Sequence, residues 1–252
     1  MPKLALIHFF PVIPVFFLYS CVARYGAGNM GSASRFLSKP GYEDSLKSGH
    51  YVGGSFYFNE GNGYYDGERS SFGEVFYHYG VSRKHFAFAA GGGLYQGRYQ
   101  VRFWEQAPGN YSFYGGNITL EMAPNLVFDK NRSRIFKLIQ WRILGIRATT
   151  TFEDGSFFRF RSRQDSAPGF ENLNKHLFFH HLALTSELDF DFKNFRFGLF
   201  GANGISFNRD RIFALFFSGG VSISHRRFTL SNQFNAGSRQ GTNFSSGLTY
   251  RF

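Results

Sequence analysis

From residue 48 to the end, apolar and polar residues alternate with a period of two, in runs separated by short polar stretches. Ten runs can be delimited: HYVGGSFYFN, FGEVFYHYGV, HFAFAAGGGLYQGRYQVRF, YSFYGGNITLEMAPNLVF, RIFKLIQWRILGIRATTTF, HLFFHHLALTSELDFDF, FRFGLFGANGISF, IFALFFSGGVSIS, FTLSNQFNAG and TNFSSGLTYRF. Side chains on a strand point alternately to its two faces, so this period predicts strands with one apolar and one polar face. The sixth run is the cleanest, with Leu182, Leu184, Leu188, Phe190 and Phe192 set against His181, Thr185, Glu187, Asp189 and Asp191. The fourth sends Ile118, Leu120, Met122, Leu126 and Phe128 one way and Asn117, Thr119, Glu121 and Asn125 the other. In the second, Val75, Tyr77, Tyr79 and Val81 oppose Glu74, Phe76 and His78.

Three places depart from simple alternation. Pro124 cannot donate to a ladder and implies a bulge or local break. The fifth run has ambiguous parity and is expected to change face around Gly145. The glycines at 91–93 mark a bend, a bulge or room for a large neighbour.

The connections alternate in length. Even-numbered strands end in the tight, basic turns SRKH, DKNRSR, KN and SHRR. Odd-numbered ones end at 60–70, 104–110, 154–175, 208–211 and 237–241, the first three clearly long. The expectation is an all-β, transmembrane, antiparallel up-and-down barrel over residues 48–252. Ten strands fit best. Eight or twelve follow if the fifth run splits or the last two are misread. Short turns then face the periplasm and long loops the exterior.

Composition agrees. Aromatics are 20% of the chain, 35 of them Phe, yet mean hydropathy is −0.25. Beyond the N-terminus no apolar stretch is long enough for a spanning helix. Aromatics interleaved with Gly, Ser, Asn and Arg suit strands that meet lipid on one side and a polar lumen on the other. The formal charge of +11 is scattered singly or in small turn clusters. That argues against a phosphate-tracking groove and against nucleic acid as a partner.

MPKLALIHFFPVIPVFFLYSC opens the chain, with an early Lys, an apolar run from Leu4 to Tyr19, and Cys21, the one cysteine of the sequence. Pro11 and Pro14 would break a continuous helix, so residues 1–20 read as a removable export signal. Leu18, Tyr19 and Ser20 before Cys21 resemble the lipobox of bacterial lipoprotein signal peptides. That resemblance implies cleavage before Cys21 and its acylation, although the bulky Tyr19 departs from the usual small residue. An ordinary signal peptide with an incidental cysteine is the alternative. Residues 21–47 are rich in Gly and Ser without a sustained period and read as a lipid-anchored tether or as a plug inside the barrel.

The last residues, SSGLTYRF, resemble the C-terminal signal of outer-membrane barrel proteins through Ser245, Gly247, Tyr250 and Phe252. The resemblance implies the bacterial outer membrane of a Gram-negative-type envelope and recognition by the barrel-assembly machinery. It also implies a last strand that pairs with the first, with Leu248, Tyr250 and Phe252 toward lipid.

The inward face is expected to carry Glu74, His78, Glu121, Arg142, His181, Glu187, Asp189, Asp191, Arg196 and Arg251. Charges of both signs in a narrow lumen form a compensating network, and Phe76, Phe179, Phe200 and Phe216 on the same face argue against a wide pore. Catalysis finds little support. The strand number matches the outer-membrane aspartyl proteases, but Asp189 and Asp191 fall at the periplasmic end. The rim acids Asp66, Glu68, Glu153 and Asp154 have only His176 as a candidate partner. The His-x-Ser of the outer-membrane lipid A deacylases does not occur, and Ser48-x-His50 has the reverse order. His180 and His181 are adjacent and point to opposite faces, so they cannot share a metal. No catalytic residue, metal site or cofactor is assigned.

In the loop GSFFRFRSRQDSAPGFENLNK, Phe158 and Phe160 alternate with Arg159, Arg161 and Arg163. It is expected to extend strands five and six as a hairpin, either one whose arginines meet lipopolysaccharide phosphates and whose aromatics meet a protein partner, or simply a solvated one. The functional expectation is an outer-membrane barrel with a largely filled lumen. Its role would be a non-enzymatic, surface or membrane-organising one, exerted through external loops. A narrow, porin-like pore for small solutes and a barrel hydrolase are the alternatives.

Overall fold

The computed structural model describes residues 23–25, 27–29, 31–41, 47–60, 68–102, 108–129, 138–164, 170–172, 174–192, 194–237 and 241–252. Residues 1–20, expected to be an export signal, Cys21 and Asp66 lie outside the described residues.

Ten antiparallel strands close into a barrel. They are β1 (Ser48–Glu60), β2 (Arg69–Ser82), β3 (Phe86–Val101), β4 (Gly109–Asp129) and β5 (Leu138–Asp154), then β6 (Phe178–Asp191), β7 (Arg196–Phe207), β8 (Ile212–His225), β9 (Phe228–Gly237) and β10 (Gly241–Arg251). Each pairs with the next, and β10 returns to β1 with Tyr250 opposite Val52 and Phe244 opposite Phe58. Closure leaves no strand edge, which a sheet surrounded by hydrocarbon requires. At one mouth β2–β3, β6–β7 and β8–β9 are joined by tight turns, and we call this the short-turn end. The long connection between β5 and β6 marks the long-loop end.

Alternation sorts the side chains as the sequence suggests. Val75, Ile118, Met122, Leu184, Leu199, Leu215 and Leu248 are exposed on the outer wall, Ile118 by 68%, while Glu74, Asn117, Glu121, Thr185 and Glu187 are buried inside. This apolar outer wall is what a lipid solvent selects.

The face change in the fifth run is real and has a specific origin. Arg142 pairs with Asn125 and Glu187, yet Ile146 pairs with Met122 and Gly145 with Thr185, so β5 carries one extra residue between Arg142 and Gly145. Leu144, at the bulge, takes a left-handed conformation with φ 47°. An extra residue flips the parity of everything beyond it. Arg142 and Arg147, five apart, would otherwise face opposite ways; with the bulge both point into the lumen, where both are buried.

Toward the long-loop end the apolar and polar faces exchange. Tyr57, Phe72, Tyr95, Tyr99, Val101 and Phe113 fill the interior as one cluster, while Arg69, Gln96 and Arg98 face outward and are exposed. A wall that is polar outside and aromatic inside is built for water, so the barrel continues past its apolar belt at this end. The expected hairpin here is instead a helix, α1 (Ser156–Gln164). Phe157, Phe160 and Arg161 stand three and four residues apart, so a helix brings them to one face. There Phe157 stacks on Tyr99 with ring centroids 3.9 Å apart, and Phe160 stacks on Tyr111 at 4.5 Å. A hairpin would have sent Phe157 and Phe160 to opposite faces.

Candidate functional site

The lumen contains a stretch of the chain's own N-terminal region. Residues 27–29 and 32–41 are buried, and wall side chains grip this segment largely by its backbone. Asn59 Nδ2 and Ser70 Oγ donate to Gly28 O at 3.3 and 3.2 Å. Arg147 Nη1 donates to Arg35 O at 2.9 Å, His78 Nε2 to Ser38 O at 2.8 Å, and Arg142 Nη2 to Pro40 O at 3.1 Å. Irregular backbone inside a membrane barrel needs such partners, because buried peptide groups are costly to leave unpaired. At Gly31 the φ of 93° favours glycine. The following one-turn 3-10 helix, Ser32–Ser34, turns the chain down the lumen, and Ser34 Oγ lies 2.6 Å from Asn235 Oδ1.

Two cations of the segment enter the wall's charge network. Arg35 pairs with Glu74 and lies 4.1 Å over the Phe76 ring. Lys39 Nζ bridges Glu121 at 2.8 Å and Glu187 at 3.0 Å. Behind these, Arg147 holds Glu121 at 2.5 Å, and Arg142 holds both Glu187 and Asp189 at 2.7 Å. Glu74 also accepts hydrogen bonds from Asn117 Nδ2 at 2.7 Å and Tyr57 Oη at 2.9 Å. Phe36 stacks on Phe200 at 4.5 Å.

Of the ten residues expected in a lumen network, Glu74, Glu121, Arg142, Glu187 and Asp189 form one linked cluster with the segment. His78 joins it through Ser38. Asp191 pairs with Arg196 at 2.5 Å beside the short-turn mouth, where Arg196 also reaches Lys39 O at 3.4 Å. His181 stands apart, 2.7 Å from Ser206 Oγ, and Arg251 lies at the mouth opposite Tyr51. Phe76 and Phe179 are buried inside. Arg35, Lys39 and Arg147 stand outside the expected set, and Glu153, expected as a rim acid, is fully buried. The first two sit four apart in an aperiodic tract that gives no sign of their partners, and Arg147 needed the bulge to be placed.

The long-loop end is capped by a second buried pair. Arg161 Nη2 meets Glu153 Oε1 at 2.8 Å, and Asn29 N–H donates to the other oxygen of that carboxylate at 3.0 Å. Burial lowers the Arg161 pKa, against the pull of the Glu153 charge that raises it. This corrects the expectation that Arg161 contacts lipid: it is fully buried, because the helix turns it inward with Phe157 and Phe160. Arg159 and Arg163 remain exposed, Arg159 lying 3.7 Å from Asp154. His176 Nε2 donates to Asp210 at 2.5 Å, in the connection 208–211, rather than to a described member of the expected rim acids, and this holds that exposed carboxyl below its ordinary pKa. Glu68 accepts from Tyr99 Oη at 3.0 Å. His180 faces outward, 3.1 Å from Thr150 Oγ1.

At the C-terminus Ser245 is buried toward the lumen, whereas Leu248 and Phe252 are exposed outside. Tyr250 packs edge-on against Phe252 and accepts a hydrogen bond from Arg227 at 3.1 Å. Gly247 faces inward opposite Ser55, where an added Cβ would crowd the Ser55 hydroxyl.

Two small cavities flank the segment among the described residues. One cavity of about 30 Å³ lies among Ala27, Ser34, Phe179, His181 and Asn235, and one of about 10 Å³ among Phe36, Lys39, Glu121 and Phe200. Volumes of this size hold about one water molecule or none.

No family model and no curated protein matches the chain. Among solved structures, the translocator domain of autotransporter NalP from Neisseria meningitidis is similar at 11% identity. The match covers 83% of this chain and 90% of that one, with a TM-score of 0.42. An outer-membrane channel from Pseudomonas putida F1 is similar at 10% identity over 86% of this chain and all of that one, with a TM-score of 0.36. The KdgM porin is similar at 12% identity over 81% of this chain and 99% of that one, with a TM-score of 0.29. A closed, ten-stranded, up-and-down barrel with an apolar outer wall gives this chain the architecture of the bacterial outer-membrane β-barrels.

Proposed function

We propose that this is a non-enzymatic barrel of a Gram-negative-type outer membrane, stoppered by its own residues 27–41 and active through its long-loop face. One observation carries the reading: Arg35 and Lys39, from outside the barrel wall in sequence, complete the wall's carboxylates from within. A lumen closed by such ties makes solute passage secondary and leaves the surface as the working part. On that surface the exposed Arg159 and Arg163 suit lipopolysaccharide phosphates or an acidic protein partner. Residues 1–20 act as the export signal and Cys21 as the acylated anchor. The purified protein in planar bilayers is expected to show no sustained current, and a large steady conductance overturns the stoppered reading. Pull-down of lipopolysaccharide or a protein partner should be lost when Arg159 and Arg163 are both replaced by Ser. Metabolic palmitate labelling should be lost in Cys21→Ser.

A narrow pore that opens when the segment withdraws is the second reading. It is favoured by the polar wall behind the segment, where Glu121, Arg147, Thr185 and Glu187 would line a water-filled path.

A further inference from the structure

The contacts of the segment have a direction. Ala23–Tyr25 forms a short parallel ladder with Phe170–Asn172, in the connection that follows α1 at the long-loop end. Gly28 is held by Asn59 and Ser70, which lie one residue from the long-loop ends of β1 and β2. Asn29 is held by Glu153, at the corresponding end of β5. Arg35 then meets Glu74 farther down β2, and Ser38 meets His78 farther still. Pro40 meets Arg142 near the start of β5, and Lys39 O lies 3.4 Å from Arg196, the first residue of β7. Gly41 packs against that same arginine. Lys47 O accepts from Ser82 N–H where β2 reaches the short-turn mouth, and β1 begins there.

The order runs one way overall. As residue number rises from 23 to 47, the partners shift from the long-loop end to the short-turn end. The chain thus enters the barrel at the long-loop mouth, passes down the lumen and leaves at the short-turn mouth to begin β1. Fifteen residues, 27 to 41, would reach roughly 45 Å fully extended, and even with one 3-10 turn they suffice for a hydrocarbon core of about 30 Å.

Resting on the reading above that long loops face outward, we propose that the barrel displays its own N-terminal end on the outer surface. Whatever precedes Ala23 emerges beside α1. Cys21 stands two residues earlier, within about 7 Å of Ala23 by chain length. An acyl chain carried there would enter the outer leaflet from the outside face, and the anchor and the long loops would share one side of the membrane. A tether running from the periplasmic leaflet to β1 would need none of the lumen contacts and would place Ala23 at the other mouth.

The test compares two single-cysteine additions to the otherwise native chain. Arg24→Cys reports the position just before the lumen, and Lys84→Cys reports the tight turn between β2 and β3. Labelling uses a membrane-impermeant maleimide on intact cells, with the wild-type chain as background. Arg24→Cys is expected to label on intact cells and Lys84→Cys only after the outer membrane is opened. Labelling of both in the same compartment overturns the passage through the lumen. The reversed pattern overturns display on the outer surface. A second variant guards against a disturbed N-terminus: Ser34→Cys with Asn235→Cys should form an intramolecular disulfide in membranes, seen as a reduction-sensitive gel shift. Its absence from a correctly inserted barrel also overturns the proposal. Bilayer current reports whether the lumen is blocked, and labelling reports the direction of the chain, so the two readings fail separately.

Discussion

Lys39 Nζ lies 3.0 Å from Glu187 Oε2, although 148 residues separate the two in sequence. The same nitrogen reaches Glu121, so one ammonium joins β4 and β6 over the intervening β5. Each carboxylate also has its own guanidinium behind it, Arg147 for Glu121 and Arg142 for Glu187. Lys39 is therefore the link that couples two wall pairs through the segment.

Removing one partner of a buried ion pair costs about 3–5 kcal/mol when the other charge is left alone. Glu74→Ala strands Arg35 in that way. Lys39→Ala leaves both carboxylates still paired and should cost less, on the order of 1–3 kcal/mol. Urea unfolding of the barrel in micelles should rank Glu74→Ala as the more damaging change. The opposite ranking would mean that Arg35 is not confined beside Glu74.

Charge selectivity follows from the same cluster. In the middle of the lumen Glu74, Glu121, Glu187 and Asp189 face Arg142 and Arg147, and Arg35 and Lys39 supply the two cations that bring this group to balance. A chain with Arg35→Gln and Lys39→Gln should loosen the segment and pass current with a preference for cations. Its reversal potential in a salt gradient is the measurement. A preference for anions would contradict the assigned wall.

The cap depends on Arg161. Arg161→Ala removes the guanidinium partner of the buried Glu153 carboxylate, leaving it the Gly28 and Asn29 N–H groups, and should release α1 at a cost of about 3 kcal/mol. Limited proteolysis should then cut between residues 155 and 175 at least tenfold faster, while the barrel strands stay protected. Unchanged cleavage would show that aromatic stacking on Tyr99 and Tyr111 holds the helix by itself.

Gly28 is packed against the ring of the buried Phe113, with no room for a Cβ. Gly28→Val should cost about 1–3 kcal/mol by overpacking and disturb the entry of the segment. The Ser34→Cys, Asn235→Cys crosslink should form more slowly in that background. An unaltered rate would mean that the entry site tolerates the added bulk.

Much of the fold is legible because two different solvents read the two faces of each strand. Val75 beside Glu74, or Leu188 beside Glu187, gives a period that only strands satisfy. The anomaly of the fifth run was legible too, as an ambiguous parity around Gly145, although Arg147 could be placed only through the bulge itself. Two features stayed hidden for different reasons. FFRFRSR alternates like a strand, yet it also spaces Phe157, Phe160 and Arg161 like a helix, and the aromatic rings of β3 and β4 decided between them. The segment of Arg35 and Lys39 has no period because its contacts with the wall are made singly, to partners 31 to 201 positions away. No local pattern encodes such ties.

The contact of Ser34 with Asn235 in β9, near the end of the chain, has a consequence for how the protein is born. The first residues to arrive cannot find this partner until almost the last strand has been laid down. If the cylinder sealed first, a charged strand of peptide would have to be pushed through a finished, narrow tube. It is simpler to lay it as a cord across the still-open sheet and wrap the sheet around it, zipping β10 onto β1 afterwards. On that route the cord is a mandrel for the cylinder, and shortening it should slow closure well before it weakens the finished article.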